Sequence, residues 1–449
     1  MASTTLTARR LRRPSPATLQ LFVLAAACFT FVTTETQPVA LLVPMAHGLH
    51  VSESTIGLLM TAYAGVAALS AIPLTVFASH VPRRRLVIIT VATLVVSQLV
   101  LGIAPNYGTA LGARLVGALA HGVYWAVLAQ IIASLVPRER VGRATAAVLA
   151  GNSLALVAGT PLVSALGALV GWRAAVDVMG VCALGVVIAM GFVIPNVPAA
   201  RAAADGRRAV LARAARHRGV LIVCAITVFL AFGQFVAFTY LAPLVRAHTG
   251  LTGTGLSAVL LAYGAAGVIG VGLVARIADH HPRRALMLCC AGLVAGLALI
   301  AGVPHGTLVM VMAILAWGAG FTALPICLQS AVLRVAPDIP DTASAIYVVA
   351  FQVGIGGGAL AGAGLLGAHE LSAIPDVTLA VFLVGSLLAA LARATFAADG
   401  ATPRPSREIV ARSAFSRLRA PGARVVQRRF PARTAAVRAR RARRPAQRR

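Results

Sequence analysis

The sequence predicts an all-α membrane protein with twelve transmembrane helices in two pseudo-symmetric bundles of six. Hydrophobic residues make up 59% of the 449 residues and charged residues only 12%, whereas soluble proteins average about 25% charged residues. One aqueous core could not bury this much apolar surface, but the chain supplies about a dozen apolar segments of about 20 residues, the length that crosses a bilayer. An internal repeat, described below, predicts the two bundles.

The apolar segments follow one another from residue 18 to residue 397. The first begins after a basic stretch, but its length of about 26 residues exceeds a signal-peptide core, so we assign it as the first membrane helix. The predicted spans are residues 18–44, 55–79, 86–105, 109–135, 144–168, 174–194, 220–246, 254–279, 285–303, 307–333, 342–367 and 376–397. They divide the chain into a basic N-terminus, a first bundle, a linker, a second bundle and an Arg-rich tail, at residues 1–17, 18–194, 195–219, 220–397 and 398–449.

The placement of arginine predicts the orientation. All 40 basic residues are arginine, and the net charge is +28. The loops after odd-numbered spans hold only Arg173 and Arg246, and we call their side the arginine-poor face. The arginine-rich face carries both termini, the linker and the remaining loops. Because positively charged loops stay in the cytoplasm, we expect both termini there. We expect the tail to be disordered and drawn to anionic lipid, not to nucleic acid.

An internal repeat joins the two halves with an offset of 200 residues. Tyr63 recurs as Tyr263, and the run Pro82–Arg84 recurs as Pro282–Arg284. Two homologous halves are the simplest explanation. Parallel repeats of this kind form transporters whose site lies at the midplane between the halves.

The loop after the second span resembles the signature of the major facilitator superfamily. The matching positions are Thr75, Ser79, His80, Pro82, Arg83 and Arg84 in the first half, and Ala275, Asp279, His280, Pro282, Arg283 and Arg284 in the second. Only the second copy keeps the acid, Asp279. The resemblance implies the major facilitator fold and a gating role for His80, Arg83, Arg84, Asp279, Arg283 and Arg284.

Within that superfamily the chain resembles the twelve-helix drug:proton antiporters, especially the arabinose, sugar and chloramphenicol efflux permeases. The likeness is carried by Thr34, Glu35, Pro44, Leu49, Val51, Ser52, Gly57, Tyr63, Ala64, Arg114, Gly117, His121, Gly122, Gly171, Trp172 and Arg173. Gly151, Gly159 and Pro161 match the antiporter motif of the fifth span in part. The resemblance implies export of a drug, sugar or related metabolite by proton antiport with alternating access, across a bacterial plasma membrane.

Glu35 is the sharpest functional signal. A carboxylate within an apolar span costs several kcal/mol on insertion, so it faces a protein interior or a water path and acts there. We expect Glu35 to bind and release the coupling proton. The alternative is a structural carboxylate near the outer interface, bonded to a neighbouring hydroxyl.

The fourth span offers partners for Glu35. Arg114, His121 and Trp125 are spaced by seven and four residues, which places them on one helix face. We predict an ion pair between Glu35 and Arg114, with His121 as a second proton carrier. In the alternative reading, Arg114 snorkels to the interface and His121 only packs.

Further polar side chains in the spans predict the substrate cavity, namely Gln37, Tyr63, Trp125, Asn152, Gln234 and Tyr263. Other amides, at Gln130, Gln329 and Gln352, either line this cavity or bond between helices. The residue 200 positions after Glu35 is Phe235. Proton coupling is therefore expected in the first half.

Several function classes are disfavoured. The glycines of the eleventh span lack the following Lys and Ser or Thr of a phosphate loop, which argues against ATP-driven export. The six cysteines lie in apolar segments without a CxxC pair, which argues against a disulfide framework or a metal site. We expect no enzyme activity, no cofactor beyond the proton gradient, and a monomer. The alternative function is a non-transporting receptor or anchor that acts through the basic tail.

Overall fold

The structure, a computed structural model, describes residues 16–137, 140–197, 213–278, 280–302, 306–393 and 395–396. Most of the predicted linker, the tail at 398–449 and Asp279 lie outside these residues. The described residues form helices and turns, with no strand among them. The helices are α1 Pro16–Ala40, α2 Leu42–Leu49, α3 Glu53–Phe77, α4 Arg83–Gly102, α5 Tyr107–Leu135, α6 Val141–Leu154, α7 Thr160–Val170, α8 Trp172–Val193, α9 Arg218–Phe238, α10 Leu241–Thr249, α11 Thr254–Ala278, α12 Pro282–Gly302, α13 Thr307–Val335, α14 Pro340–Gly367 and α15 Ala373–Leu391.

Eleven helical segments in the described part of the chain are long and apolar enough to cross a membrane. In one of them, α6 and α7 form a single span of 28 residues. The long helix outside this group is α5. It is 29 residues long, as α13 is, but it carries Arg114 and His121, which are both buried. The all-α membrane architecture predicted from composition is confirmed.

The helix bounds repeat between the two halves. α5 and α13 begin at Tyr107 and Thr307 and end at Leu135 and Val335, so both bounds differ by the offset seen in the sequence. α1 and α9 are each followed by a short helix, α2 or α10, before the next long one. The two six-helix halves therefore share one plan.

Local chemistry fixes several helix ends. Asn106 caps α5, because its side-chain oxygen accepts a hydrogen bond from the backbone N–H of Thr109 at 3.0 Å. Gly171 separates α7 from α8 with φ of 86°, and Gly250 ends α10 with φ of 72°. Glycine adopts these angles at no steric cost, which is why the chain can turn sharply at the arginine-poor face.

Two spans depart from the regular helices that the apolar pattern predicts. The window 18–44 divides at Leu41, which joins α1 to α2 with non-helical backbone angles. Pro38 precedes this break inside α1. The window 144–168 contains a five-residue π-helical turn, Ala155–Gly159, between α6 and α7. Turns of this kind are frequent at functional sites.

The two halves meet along α3 and α14, and α11 packs against α7. Near the arginine-poor face the hydroxyls of Ser164 and Ser257 are 3.0 Å apart. Arg246 forms an ion pair with Glu53 at 3.0 Å in the same region. These contacts hold the halves together at that face.

Close packing between the halves depends on small residues. A Cβ at Gly57 would lie 1.8 Å from the Tyr240 hydroxyl, and a Cβ at Gly264 would lie 2.4 Å from the Val157 carbonyl oxygen. At Gly264, about 15 Å along α11 from the arginine-poor face, the halves therefore approach each other to backbone contact.

Candidate functional site

Glu35 lies in α1, where its side chain is only 8% exposed. One carboxylate oxygen, Oε1, accepts a hydrogen bond of 3.0 Å from Nε2 of Gln352. Gln352 belongs to α14, so this bond crosses between the halves of the protein. The predicted functional carboxylate is therefore held by the second half and is not turned towards lipid.

Arg114 does not form the predicted ion pair with the Glu35 carboxylate in the described structure. Its guanidinium donates instead to two backbone carbonyls, from Nη1 to Thr34 at 2.6 Å and from Nη2 to Glu35 at 2.9 Å. Pro38 explains why a carbonyl is available, because proline has no N–H to bond the carbonyl four residues earlier. Arg114 thus completes the hydrogen bonding of α1 at its proline.

The environment of Arg114 makes a buried guanidinium tolerable. The side chain is 1% exposed, which excludes the snorkelling alternative. Its guanidinium carbon lies 4.5 Å from the centroid of the Tyr63 ring. A desolvated cation over an aromatic face gains about 2 kcal/mol, and each hydrogen bond to a charged group gains about 1.5–3 kcal/mol. These contacts offset part of the desolvation cost and fix the position of the cation.

His121 contacts both halves through its two ring nitrogens. Nδ1 lies 3.2 Å from the Tyr63 hydroxyl, and Nε2 lies 2.9 Å from Nε2 of Gln352. Since an amide nitrogen only donates, Nε2 of His121 must accept, and the ring proton is then on Nδ1 and donates to Tyr63. Trp125 lies beside this ring, with centroids 6.1 Å apart.

These contacts define the charged cluster, which consists of Glu35, Tyr63, Arg114, His121 and Gln352. The first four come from α1, α3 and α5, and the last from α14. All five are buried. The cluster therefore combines a carboxylate, an imidazole and a permanent cation in a site that both halves build.

Glycines in α5 bring the charged cluster together. A Cβ at Gly117 would lie 2.8 Å from the Ser97 hydroxyl, and a Cβ at Gly122 would lie 2.4 Å from Cα of Ala71. With glycine at both positions, α5 can approach α3 and α4 closely enough for Arg114 to reach α1.

The second half carries a cluster of rings at the corresponding depth. Gln234 donates to the Tyr263 hydroxyl at 2.9 Å and accepts from Nε1 of Trp317 at 2.6 Å. Phe238 lies 5.2 Å from Tyr263 and 6.3 Å from Trp317, measured between ring centroids. We call Gln234, Phe235, Phe238, Tyr263, Trp317 and Phe321 the aromatic cluster. Its polar atoms bond to one another, so Gln234 and Tyr263 are not part of the charged cluster.

Two other residues predicted to line a cavity lie apart from these bonds. Gln37 is fully buried, and both atoms of its amide lack a hydrogen-bond partner among the described residues. Asn152 is half-buried near the end of α6. Gln37 lies two positions after Glu35 on α1 and so points to a different side of that helix. The role of Gln37 and Asn152 in a cavity stays a prediction.

The predicted antiporter motif packs against α1. A Cβ at Gly151 would lie 2.1 Å from the carbonyl oxygen of Ala25, and a Cβ at Gly159 would lie 2.1 Å from the Thr33 hydroxyl. Pro161 is the second residue of α7, which begins directly after the π-helical turn. The motif therefore sets the distance between α1 and the α6–α7 span, and its contact at Thr33 lies two residues before Glu35.

The arginines predicted to gate bond within their own halves. Arg84 donates to the Asn196 side chain at 3.0 Å and to the carbonyl of Gly191 near the end of α8. Arg283 donates to the carbonyl of Ala390 near the end of α15 at 3.2 Å. Cations favour helix C-termini, where carbonyls lack partners. In both halves an arginine thus joins the third long helix to the last.

The other residues of the two signature loops are placed differently. His80 is exposed at the end of a short turn after α3, and Arg284 is exposed on α12. Arg83 is 3% exposed. Asp279 lies outside the described residues. The gating role of these loops stays a prediction.

Sequence reasoning undervalued two residues of the site. Gln352 was one of several neutral amides in the spans, and nothing in its neighbours distinguishes it from Gln329, which bonds Ser344 within the second half. Pro38 did carry a signal, because a proline inside a span frees the carbonyl four residues earlier. That carbonyl, Thr34, is an acceptor for Arg114.

Metal and redox chemistry find no support in the described residues. No group of three or more His, Cys, Asp or Glu there is placed to hold a metal ion. The six cysteines are free thiols, five of them buried and Cys182 exposed.

Comparison with known proteins identifies similar chains. A profile of the Major Facilitator Superfamily matches residues 22–359. The chloramphenicol efflux pump of Mycobacterium tuberculosis strain H37Rv is 40% identical over 379 residues, which cover 82% of this chain and 90% of that protein. A "probable sugar efflux transporter" of Helicobacter pylori strain 26695 is 30% identical over 355 residues, covering 79% and 90%.

A solved structure has a similar fold. The D-xylose-proton symporter superimposes with a TM-score of 0.66, covering 83% of this chain and 96% of that one, at 15% identity. At this identity the similarity concerns the fold. It agrees with the two repeated halves described above.

Proposed function

This chain belongs to the major facilitator superfamily, and we propose that it exports a small organic molecule in exchange for protons. Membership makes it a membrane transporter and not an enzyme. Export is supported by the names of its relatives, an efflux pump for chloramphenicol and a sugar efflux transporter. We propose a drug, a sugar or a related metabolite as the substrate.

The observation that carries the proposal is the hydrogen bond between Glu35 and Gln352 across the two halves. A proton-coupled transporter needs a group whose charge changes during the cycle and whose contacts differ between its conformations. Glu35 is a titratable group at the contact between the halves, and the Arg114 guanidinium is bonded to its backbone carbonyl. When a carboxylate at this position gains or loses a proton, its hydrogen bond between the two bundles changes.

In the proposed cycle, ionised Glu35 first faces the arginine-poor side and takes a proton there. Neutralising the carboxylate lowers the cost of moving it through an apolar surrounding. The halves then rock, and Glu35 releases the proton to the arginine-rich side as substrate binds. His121 is the second proton site of this scheme.

We further propose that the arginine-rich face is cytoplasmic, which follows from the positive-inside rule. The membrane is then a bacterial plasma membrane, with both termini inside. The bundles at 18–194 and 220–397, joined by a cytoplasmic linker, are the rocking bodies. We propose a monomer whose basic tail lies near anionic lipid.

The test is transport into liposomes with an imposed pH gradient, with chloramphenicol and a panel of sugars as probes. Glu35→Gln keeps the shape of the side chain but removes its proton chemistry. We expect gradient-driven transport to fall to background while the protein still inserts.

The matched control is Glu370→Gln, since Glu370 is an exposed acid in the loop before α15. This variant should transport as the wild type does. Unimpaired gradient-driven transport by Glu35→Gln would contradict the proposed coupling.

A further inference from the structure

We propose that Gln352 is the positioning residue through which the protonation of the Glu35–His121 pair controls contact between the two halves. The inference rests on the proposed function, because it names the residue that would convert proton binding into motion. Gln352 is 4% exposed. Within the charged cluster it is the member contributed by the second half.

One amide nitrogen makes both bonds of Gln352 to the first half. It lies 3.0 Å from Oε1 of Glu35 and 2.9 Å from Nε2 of His121. A primary amide nitrogen carries two hydrogens, so each bond uses one of them. Oε1 of Gln352 is buried without a partner among the described residues. The whole polar contact of this side chain with α1 and α5 thus depends on two acceptors.

Both acceptors change when the cluster takes up a proton. A bond to an ionised carboxylate is roughly twice as strong as one between neutral groups, so a proton on Glu35 weakens the first bond. A proton on Nε2 of His121 removes the second acceptor outright. Turning the amide over would let its oxygen accept from protonated His121, but would set that oxygen against the ionised Glu35. With one proton on the pair, the two bonds cannot both be made at full strength, whereas both are complete when Glu35 is ionised and Nε2 of His121 is free.

Few titratable groups in the described part of the chain contact the Gln352 amide. Glu35 and His121 contact it directly. The other titratable or charged groups near this contact are Tyr63 on α3, Arg114 on α5, Tyr240 between α9 and α10, and Tyr347 on α14 itself. Tyr240 bonds the carbonyl of Ala359, and Tyr347 bonds the carbonyl of Pro325. Neither of these bonds includes the Gln352 amide.

The contact made by Gln352 lies far from the arginine-poor face, where other contacts join the two halves. His121 lies about 21 Å along α5 from the arginine-poor face, and Gln352 about 22 Å along α14 from the same face, at 1.5 Å per residue. The Glu53–Arg246 and Ser164–Ser257 contacts lie close to that face. Gln352 therefore joins the halves at mid-depth, where a loss of contact lets one half tilt against the other.

Glycines beside Gln352 make such a movement possible. A Cβ at Gly356 would lie 3.2 Å from Cβ of Ala64, across the contact between α14 and α3. Small residues let facing helices approach closely with few side chains interlocked between them. The amide of Gln352 is thus a polar contact between the halves beside one made by small apolar residues.

The test measures opening of the arginine-poor face against pH. Spin labels at Ser52 and His369, both exposed in loops of that face, report the distance between the halves in the full-length protein, with exposed Cys182 replaced by serine. In the wild type the ratio of open to closed molecules should rise as pH falls, by up to about tenfold per pH unit for one proton. In Gln352→Leu the ratio should change less than about twofold per unit.

Two further variants keep the test decisive. Gln352→Asn retains an amide but is one methylene shorter, so it cannot reach Glu35 and His121 together, and it should also lose the pH response. The matched control is Gln329→Leu, whose amide bonds Ser344 inside the second half and whose loss should leave the response unchanged.

The outcomes separate this inference from the proposed function. If Gln352→Leu and Gln352→Asn open with pH as the wild type does, or if the wild type shows no pH response, the inference is overturned. Transport by Glu35→Gln decides the proposed function separately. A label distance that depends on pH only when Gln352 is present supports the inference even where export of the chosen probes fails.

Discussion

The two halves of this protein place opposite chemistry at equivalent positions. At the offset of 200 residues, the first half and the second half carry respectively Glu35 and Phe235, Tyr63 and Tyr263, Arg114 and Ile314, Gly117 and Trp317, and His121 and Phe321. The tyrosine is common to both. In the first half this tyrosine is surrounded by charged side chains and backbone acceptors. In the second half it belongs to a cluster of rings whose centroids are 5.2–6.3 Å apart.

The difference shows how a repeated fold can become asymmetric in function. In the second half, Trp317 occupies the position of Gly117 and bonds Gln234, so polar atoms there are satisfied without charge. In the first half, Gly117 leaves room beside the Tyr63 ring, where Arg114 lies. Among these positions, the carboxylate, the guanidinium and the imidazole all belong to the first half. The repeat therefore places charge in one half and packed rings in the other.

The largest expected effect on stability comes from removing Arg114, the cation that the second half lacks at the equivalent position. Arg114→Ala would leave the buried carbonyls of Thr34 and Glu35 without their donor. Two hydrogen bonds to a charged group contribute about 3–6 kcal/mol together. We expect a matching loss of thermal stability in detergent, measured by unfolding of the purified protein.

Arg246→Ala is the comparison for that measurement. Arg246 has 44% of its side chain exposed and pairs with Glu53 near the arginine-poor face. Exposed pairs contribute about 0–1 kcal/mol, so this loss should be small. Equal losses for both variants would contradict the structural role assigned to Arg114.

His121→Phe places in the first half the residue type that the second half has at the equivalent position, Phe321. It therefore removes the difference between the halves at this position. The Tyr63 hydroxyl and the Gln352 amide would each lose a partner, at about 1–3 kcal/mol for a buried polar group left unsatisfied. We also expect the pH dependence of transport in liposomes to flatten. Phe321→His is the mirror variant, which should destabilise the aromatic cluster and leave the pH profile unchanged.

Glycine substitutions in α5 should have the smallest effects and sharpen the packing argument. At Gly122 a Cβ would meet the backbone of Ala71 at 2.4 Å, whereas at Gly117 it would meet the Ser97 hydroxyl at 2.8 Å. Overpacking costs about 1–3 kcal/mol, and we expect Gly122→Ala to cost more because backbone yields less than a side chain.

Gly65→Ala serves as the control for both, since nothing lies within 4 Å of its added Cβ. Alanine there should stabilise α3 by about 0.5–1 kcal/mol in the same unfolding measurement. A loss at Gly65 as large as that at Gly122 would show that helix contact is not the cause.

The spans and their repeat could be predicted from sequence because apolar length and a fixed offset act over many residues at once. The meeting of Glu35, Arg114 and His121 was also predictable, from spacing on one helix face and from depth. The atoms that form the hydrogen bonds could not be predicted. Arg114 donates to carbonyls and not to the carboxylate because Pro38 interrupts the hydrogen bonding of α1, and hydrophobic periodicity does not reveal such a local interruption.

The contribution of Gln352 could not be predicted for a different reason. Its partners lie 317 and 231 positions away in the chain, and a neutral amide has no preferred partner that composition reveals. Only the packing of α14 against the first half selects it over Gln329. Contacts between the halves are thus the part of the site that a single sequence hides best.

The π-helical turn at Ala155–Gly159 allows one membrane segment to serve two neighbours. An additional residue wound into a helix rotates everything beyond it by about 100°. The turn itself meets both neighbours, because Gly159 packs against Thr33 of α1 and the carbonyl oxygen of Val157 faces Gly264 of α11. The segment as a whole therefore contacts its own bundle through α1 and the second bundle through α11, so it passes any change at one of these contacts directly to the other.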